Sequence, residues 1–218
     1  MRMGKGRTFA RRGPVHINRP QHREHVKKNA KSLRSKLTPA QKEAIYALPL
    51  QEQFLTVYVH PESGHPVLQH RLVDTSANDY PQVRIVAEAY AAETPCTINP
   101  VIVANEPVGR AKIFPGILAR ANPDLTTKEY GYIDVKSPLN KSNIVRNAND
   151  ACKQGAIAVV TDLMLVNEEI TGEEIEKFTK RIFSEQNINH CKHHNYTPTE
   201  IHWFIKGSLI KCNKPEKN

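Results

Sequence analysis

The stretch 156-AIAVVTDL-163 reads as a buried strand, because an apolar run this short and rich in β-branched residues cannot make a free-standing helix. It follows a helical pattern over Ser142 to Gln154 and precedes the amphipathic segment 172-GEEIEKFTKRIFSEQ-186. A buried strand between two helices must be covered by them, which places the chain in the α/β class. Upstream, Tyr80 to Ala92 puts Val83, Val86, Ala87, Tyr90 and Ala91 on one helical face. The apolar strand 98-INPVIVA-104, a loop containing 109-GRAKIFPG-116, and short strands either side of 126-TTKEYG-131 come next, the second being 132-YIDVK-136. With a last strand region at 200-EIHWFIKGSLIK-211, the expected order from Tyr80 is helix, three strands, helix, strand, helix, strand around a mixed sheet.

Residues 1–79 follow a different grammar and form an expected appendage of basic arm, helical pair and β-hairpin, with 80–212 as the α/β domain and 213–218 as a tail. The helical pattern runs from Arg19 to about Ala47. Thr38, Pro39 and Gln41 predict a capped start for its second helix. The runs 53-QFLTVYVH-60 and 67-VLQHRLV-73, split by 61-PESGHP-66, predict the hairpin. The net charge of +9 is concentrated in the arm: residues 1–36 hold twelve Lys or Arg and one acid, a balance of +11, leaving −2 for the other 182 residues. Such an arm suits sequence-independent phosphate contact, or serves only as a solvated tail. No apolar run reaches 18 residues and 1-MRMGKGRTFARRG-13 leads into no apolar h-region. The expected location is therefore the cytoplasm, either the cell's own or that of a target cell, with no membrane partner. Cys96, Cys152, Cys191 and Cys212 form no C-x-x-C pair and read as ordinary thiols.

Chemistry concentrates in 122-NPDLTTKEYGYIDVKSP-138. Strand side chains alternate, so Asp134 and Lys136 share one face while Ile133 and Val135 point to the other. A hairpin brings Asp124 alongside, so that two carboxylates and an ammonium meet. Two hard oxygen ligands suit Mg²⁺ or Mn²⁺ rather than Zn²⁺. Lys136 could orient or deprotonate a water and neutralise charge growing on a phosphate. Phosphodiester hydrolysis is the reaction class that uses these parts.

With 123-PD-124 and 134-DVK-136 in a helix, three strands, helix, strand order, the chain resembles the PD-(D/E)xK nuclease superfamily. Residues 82–163 resemble more closely still the C-terminal tRNA nuclease domains of contact-dependent growth inhibition toxins. That likeness rests on Glu88, 113-IFPGI-117, 122-NPD-124, 132-YIDVKSP-138 and 152-CKQGAIAVVTDL-163. It implies an αβββαβ core and metal held by Glu88, Asp124 and Asp134. It also implies a catalytic Lys136 and a supporting Gln154 on the next helix, and RNA of tRNA type as substrate. Glu93 is an alternative to Glu88, because helix rotation is not fixed by sequence. An active toxin of this type would need a cognate immunity protein. The segments outside the match leave a stand-alone or mobile-element-borne nuclease equally open.

Other features compete for function. Glu88 lies four residues after Arg84 and could form a surface pair. Ser137, Asn140 and Asn143 could contact phosphate, although Ser142 or Asn140 is the natural cap of the following helix. His60, His65 and His70, and 190-HCKHH-194 with Cys212, are dense enough to suggest zinc, but their spacing fits no standard zinc pattern. The non-enzymatic alternative is a nucleic-acid-binding or mobile-element assembly protein that works through its basic arm. Salt-sensitive binding that survives loss of the acids would mark it out.

Overall fold

The computed structural model describes residues 37–102, 110–111, 113–116, 121–165, 168–193 and 196–215. The basic arm, the first helix of the expected pair and residues 103–104 of the expected third strand lie outside them. The described chain opens with α1 (Pro39–Ala47), whose N-terminus carries the full capping box: Thr38 Oγ1 accepts from Gln41 N–H and Gln41 Oε1 accepts from Thr38 N–H. A 3-10 turn at Leu50–Gln53 leads to the antiparallel hairpin β1 (Phe54–Val59) and β2 (Pro66–His70). Next come α2 (Tyr80–Tyr90), β3 (Cys96–Ile98), β4 (Leu125–Thr127), β5 (Gly131–Lys136), α3 (Ile144–Lys153) and β6 (Ile157–Thr161). The chain closes with α4 (Gly172–Ile182), α5 (Glu185–His193), β7 (Glu200–Ile205) and β8 (Ser208–Asn213).

The eight strands among the described residues form one mixed sheet in sequence order. The β2–β3, β5–β6 and β6–β7 pairs are parallel and the rest antiparallel. The hairpin is therefore continuous with the strands beyond Tyr80, and Val67 packs in the same core as Val86 and Ile133. One face is covered by α2, whose Val83, Val86, Ala87 and Tyr90 meet Cys96, Ile98, Leu125, Ile133 and Val159. The other is covered by α3 and α4, where Ile144, Ala148, Ala151 and Ile182 meet Ala158, Val160, Ile201 and Trp203. Burying one of these larger side chains stabilises the fold by roughly 1.5–3 kcal/mol.

Several expected boundaries shift for physical reasons. The third strand ends at Ile98 instead of Ala104. Pro100 has no N–H for a ladder, and Asn99 N–H already donates to Asp124 O (2.8 Å). The expected helix over 172–186 breaks at Phe183–Ser184, where Ser184 Oγ accepts from Asn187 N–H (3.3 Å) and opens α5. The last strand region is a hairpin, turned by Lys206 (φ 49°) and Gly207 (φ 80°), both left-handed as a tight hairpin turn requires. Neither Asn140 nor Ser142 caps α3: Ser142 donates to Asn140 Oδ1 (2.5 Å), and α3 is entered through a 3-10 turn at Lys141–Asn143. Among the described residues no helix is long and apolar enough to cross a membrane.

Candidate functional site

The connection from α2 to β3 is short, so α2 returns antiparallel to β3 and its N-terminus lies beside Asn99. The same end of the sheet carries the start of β4 and the end of β5. Since Leu125 pairs with Ile133, Asp124 stands opposite Asp134 just beyond the last paired residue of β4. Three consecutive antiparallel strands and one helix thus gather acids from distant parts of the chain at one end.

Asp134 is buried on the α3 side of β5, while Ile133 is buried on the α2 side. Its Oδ2 accepts from Lys136 Nζ at 2.7 Å and from Gln154 Nε2 at 2.6 Å. Gln154 closes α3, and its Oε1 accepts from Asn122 N–H at 3.1 Å, so its amide is fixed at both atoms. Asp124 Oδ2 accepts from Val135 N–H at 2.8 Å, and the backbone on its other side is tied down by Asn99 Nδ2 donating to Pro123 O (3.1 Å). Among the described residues the other oxygen of each carboxylate accepts from no N–H, and the two carboxyl groups lie within hydrogen-bonding reach of each other. Asp124, Asp134, Lys136 and Gln154 are therefore brought together.

Glu88 is not brought to them. Its Oε1 accepts from Arg84 Nε at 2.8 Å, and Arg84 also donates to Val57 O (3.2 Å), which holds the pair against the edge hairpin. Glu93 lies at the opposite end of β5, paired with Lys211 and accepting from Tyr130 Oη at 3.2 Å. The acid that α2 does deliver is Asp79, at its N-cap. Its side chain makes no capping bond, and it lines a cavity of about 40 Å³ together with Asn99 and Asp124. The rise along α2 from Asp79 to Glu88 is about 13 Å, which separates the two positions decisively. The signal that could have found Asp79 is topological. A helix returning antiparallel to β3 presents its first turn, not its middle, to the strand ends that carry Asp124 and Lys136.

The electrostatics are those of a surplus of negative charge. Burial raises the Asp124 pKa well above the usual carboxylate range, and the neighbouring Asp134 adds to the rise, against Lys136 and the Val135 N–H. Burial also raises Asp79, with Asp134 and Asp74 reinforcing it and Lys136 opposing. For Lys136, burial works against the ammonium, but Asp134 and then Asp124 raise its pKa overall, so it stays protonated. Two carboxylates forced together in a desolvated site demand either a proton or a cation between them. The donor set, one hard oxygen on each of Asp124 and Asp134 that no N–H claims, fits Mg²⁺ or Mn²⁺ completed by water. Among the described residues no three or more acid, His or Cys side chains are grouped closely enough to hold a metal ion by themselves. The cavity has space for a few water-sized groups but none for a nucleotide.

The remaining candidates have structural partners. Ser137 Oγ meets Thr161 Oγ1 at 3.0 Å, beside the end of β6. His60 Nδ1 accepts from Ser63 N–H, and His70 is buried between Gln53 and Leu72. His190, Cys191 and His193 lie on α5, while Cys212 is on β8. No family model, no curated protein and no solved structure matches the chain.

Proposed function

We propose that the protein is a metal-dependent nuclease that hydrolyses phosphodiester bonds, with a PD-(D/E)xK-type core running from α2 to β6 and RNA of tRNA type as its substrate. The observation that carries this reading is the apposition of Asp124 and Asp134 with Lys136 and Gln154 both fixed on Asp134. Asp124 and Asp134 would hold Mg²⁺ or Mn²⁺, with Asp79 taking the place expected of Glu88. When bound, such an ion polarises a phosphoryl oxygen and makes a coordinated water more acidic.

The chain's own groups do the rest. Gln154 and Lys136 hold the Asp134 carboxylate through its Oδ2, leaving the other oxygen without an N–H donor among the described residues. The Val135 N–H does the same for Asp124. Lys136, held protonated by its carboxylate neighbours, is a poor proton acceptor in this state. Its work is to set positive charge beside the phosphate as negative charge builds there, an effect typically worth about 10²–10³ in rate. If the enzyme acts as a toxin, its producing cell requires an immunity protein that covers this end of the sheet.

The test is cleavage of mixed tRNA, other single-stranded RNA and duplex DNA by the full chain in Mg²⁺, Mn²⁺ or EDTA, beside Asp134→Ala and Lys136→Ala. Metal-dependent cutting lost in both variants is expected, with RNA preferred. Absence of cutting in every polymer, with binding unchanged in both variants, would replace this reading with that of a nucleic-acid-binding protein.

A further inference from the structure

The outer side of α3 carries a row that the site does not use. Arg146, Asn149 and Lys153 recur at helical spacing, turned away from the buried Ile144, Ala148 and Ala151. Arg181 at the end of α4 and His190 on α5 border the same row, and together they line a cleft of about 390 Å³. At Lys153 and Tyr196 this cleft meets a second one of about 610 Å³, whose wall includes Tyr132, Gly155 and Glu200. The two share those two residues and so adjoin, and together they are called the channel, from the side of α3 to the start of β5.

Two features give the channel its chemistry. Arg146, Lys153 and Arg181 enter no ion pair among the described residues, although Asp150 lines the same cleft. They gather in a part of the chain, residues 37–218, whose net charge is −2, so general basicity does not account for them. One of its aromatic groups is fixed in place. Tyr132 donates to Pro115 O (3.2 Å) and meets Phe114 edge-on, 6.1 Å between centroids. The clefts approach the site from the start of β5, without being lined by its acids: Tyr132 precedes Asp134 by two residues on the same strand face, about 7 Å along β5, and Lys153 and Gly155 flank the Gln154 that holds Asp134.

We propose that this channel seats the single-stranded polynucleotide flanking the bond to be cut, with Arg146, Lys153 and Arg181 contacting phosphates and Tyr132 and Tyr196 stacking on unpaired bases. Phosphate contacts of this kind position a strand without reading its sequence, and aromatic faces accept any base. This rests on the nuclease reading for its occupant, but not for its existence as a polyanion site.

The test is fluorescence anisotropy of a labelled single-stranded RNA with the full chain in EDTA, over a series of KCl concentrations. It compares wild type, Arg146→Glu/Lys153→Glu/Arg181→Glu, the milder Gln set at the same positions, and Lys177→Glu/Lys180→Glu on the exposed face of α4. Loss of three phosphate contacts should flatten the slope of log affinity against log salt by about 2 for a single strand, with the α4 control unchanged. In Mg²⁺ the same variants should raise KM about tenfold and leave kcat within about twofold. Circular dichroism identifies a reversal that fails to fold, in which case the Gln set decides. A wild-type protein that binds no RNA, or triple variants with wild-type slope and KM, overturns the channel while any cutting leaves the nuclease reading standing. Channel-dependent binding without cutting of any polymer does the reverse.

Discussion

Two of the polar networks among the described residues, one around His202 and one around Asp134, are built on opposite electrostatic plans. Around His202, Tyr90 Oη donates to Nδ1 and Nε2–H donates to Glu200 Oε1 at 2.7 Å, so the neutral ring is satisfied at both nitrogens. Nearby, Glu93 is matched by Lys211, which also meets Tyr130 Oη at 2.6 Å. Every group there has a partner of the right kind, and the network ties α2 to β7 and β8. Around Asp134, three acids face one ammonium, and burial and mutual repulsion raise two of the acids. A network that serves only the fold neutralises itself. One that keeps surplus charge at a cost in stability is where function is to be sought.

The contrast can be broken from either side. The largest change in stability is expected for His202→Ala, which leaves Tyr90 Oη buried beside a cavity. Loss of about 3 kcal/mol should appear in chemical denaturation, without any effect on metal-dependent cleavage at a temperature where the variant is folded. Acid should act on the satisfied histidines next. His70 is fully buried, its Nδ1 accepts from Leu72 N–H, and burial lowers its pKa to about 4; burial lowers His202 as well. The unfolded chain takes up protons below about pH 6.5 that the native rings refuse. Stability is therefore full above that pH and falls as the pH drops towards 4, by about 2 kcal/mol for His70 after allowance for screening. Denaturation midpoints measured across pH 4–7, with His70→Gln as control, check the sign.

The charged site should respond in the opposite direction. Removing one of its crowded carboxylates with Asp124→Asn relieves repulsion and is expected to stabilise the apo protein by about 1 kcal/mol, seen as a higher thermal midpoint, while cleavage is lost. Smallest of all is Glu88→Gln, which breaks an exposed i,i+4 pair worth a few tenths of a kcal/mol and should leave cleavage unchanged. Asp79→Asn, by contrast, should reduce cleavage. Equal losses from both substitutions would return Glu88 to the site.

What the sequence made legible follows from how local each constraint is. Asp134 and Lys136 were readable because strand side chains alternate, and Asp124 because a hairpin fixes which residue comes opposite. Glu88 was misleading for the complementary reason. Helical periodicity shows which face is buried, but not which end of the helix meets the strand ends. Pro100 shortened β3 where an apolar run alone suggested continuation, and Ser184 divided what periodicity read as one helix. The cleft beside α3 escaped entirely, since Arg146, Arg181 and Tyr196 are neighbours only through tertiary packing.

The most direct measurement is calorimetric titration of the apo protein with Mn²⁺, beside Asp124→Asn and Asp134→Asn. One ion bound by wild type and lost in both variants is the expected result, together with a rise in thermal midpoint confined to the wild type. No Mn²⁺ binding by wild type, or binding that both variants retain, would contradict the claim that the uncompensated carboxylates form a cation-dependent reaction centre.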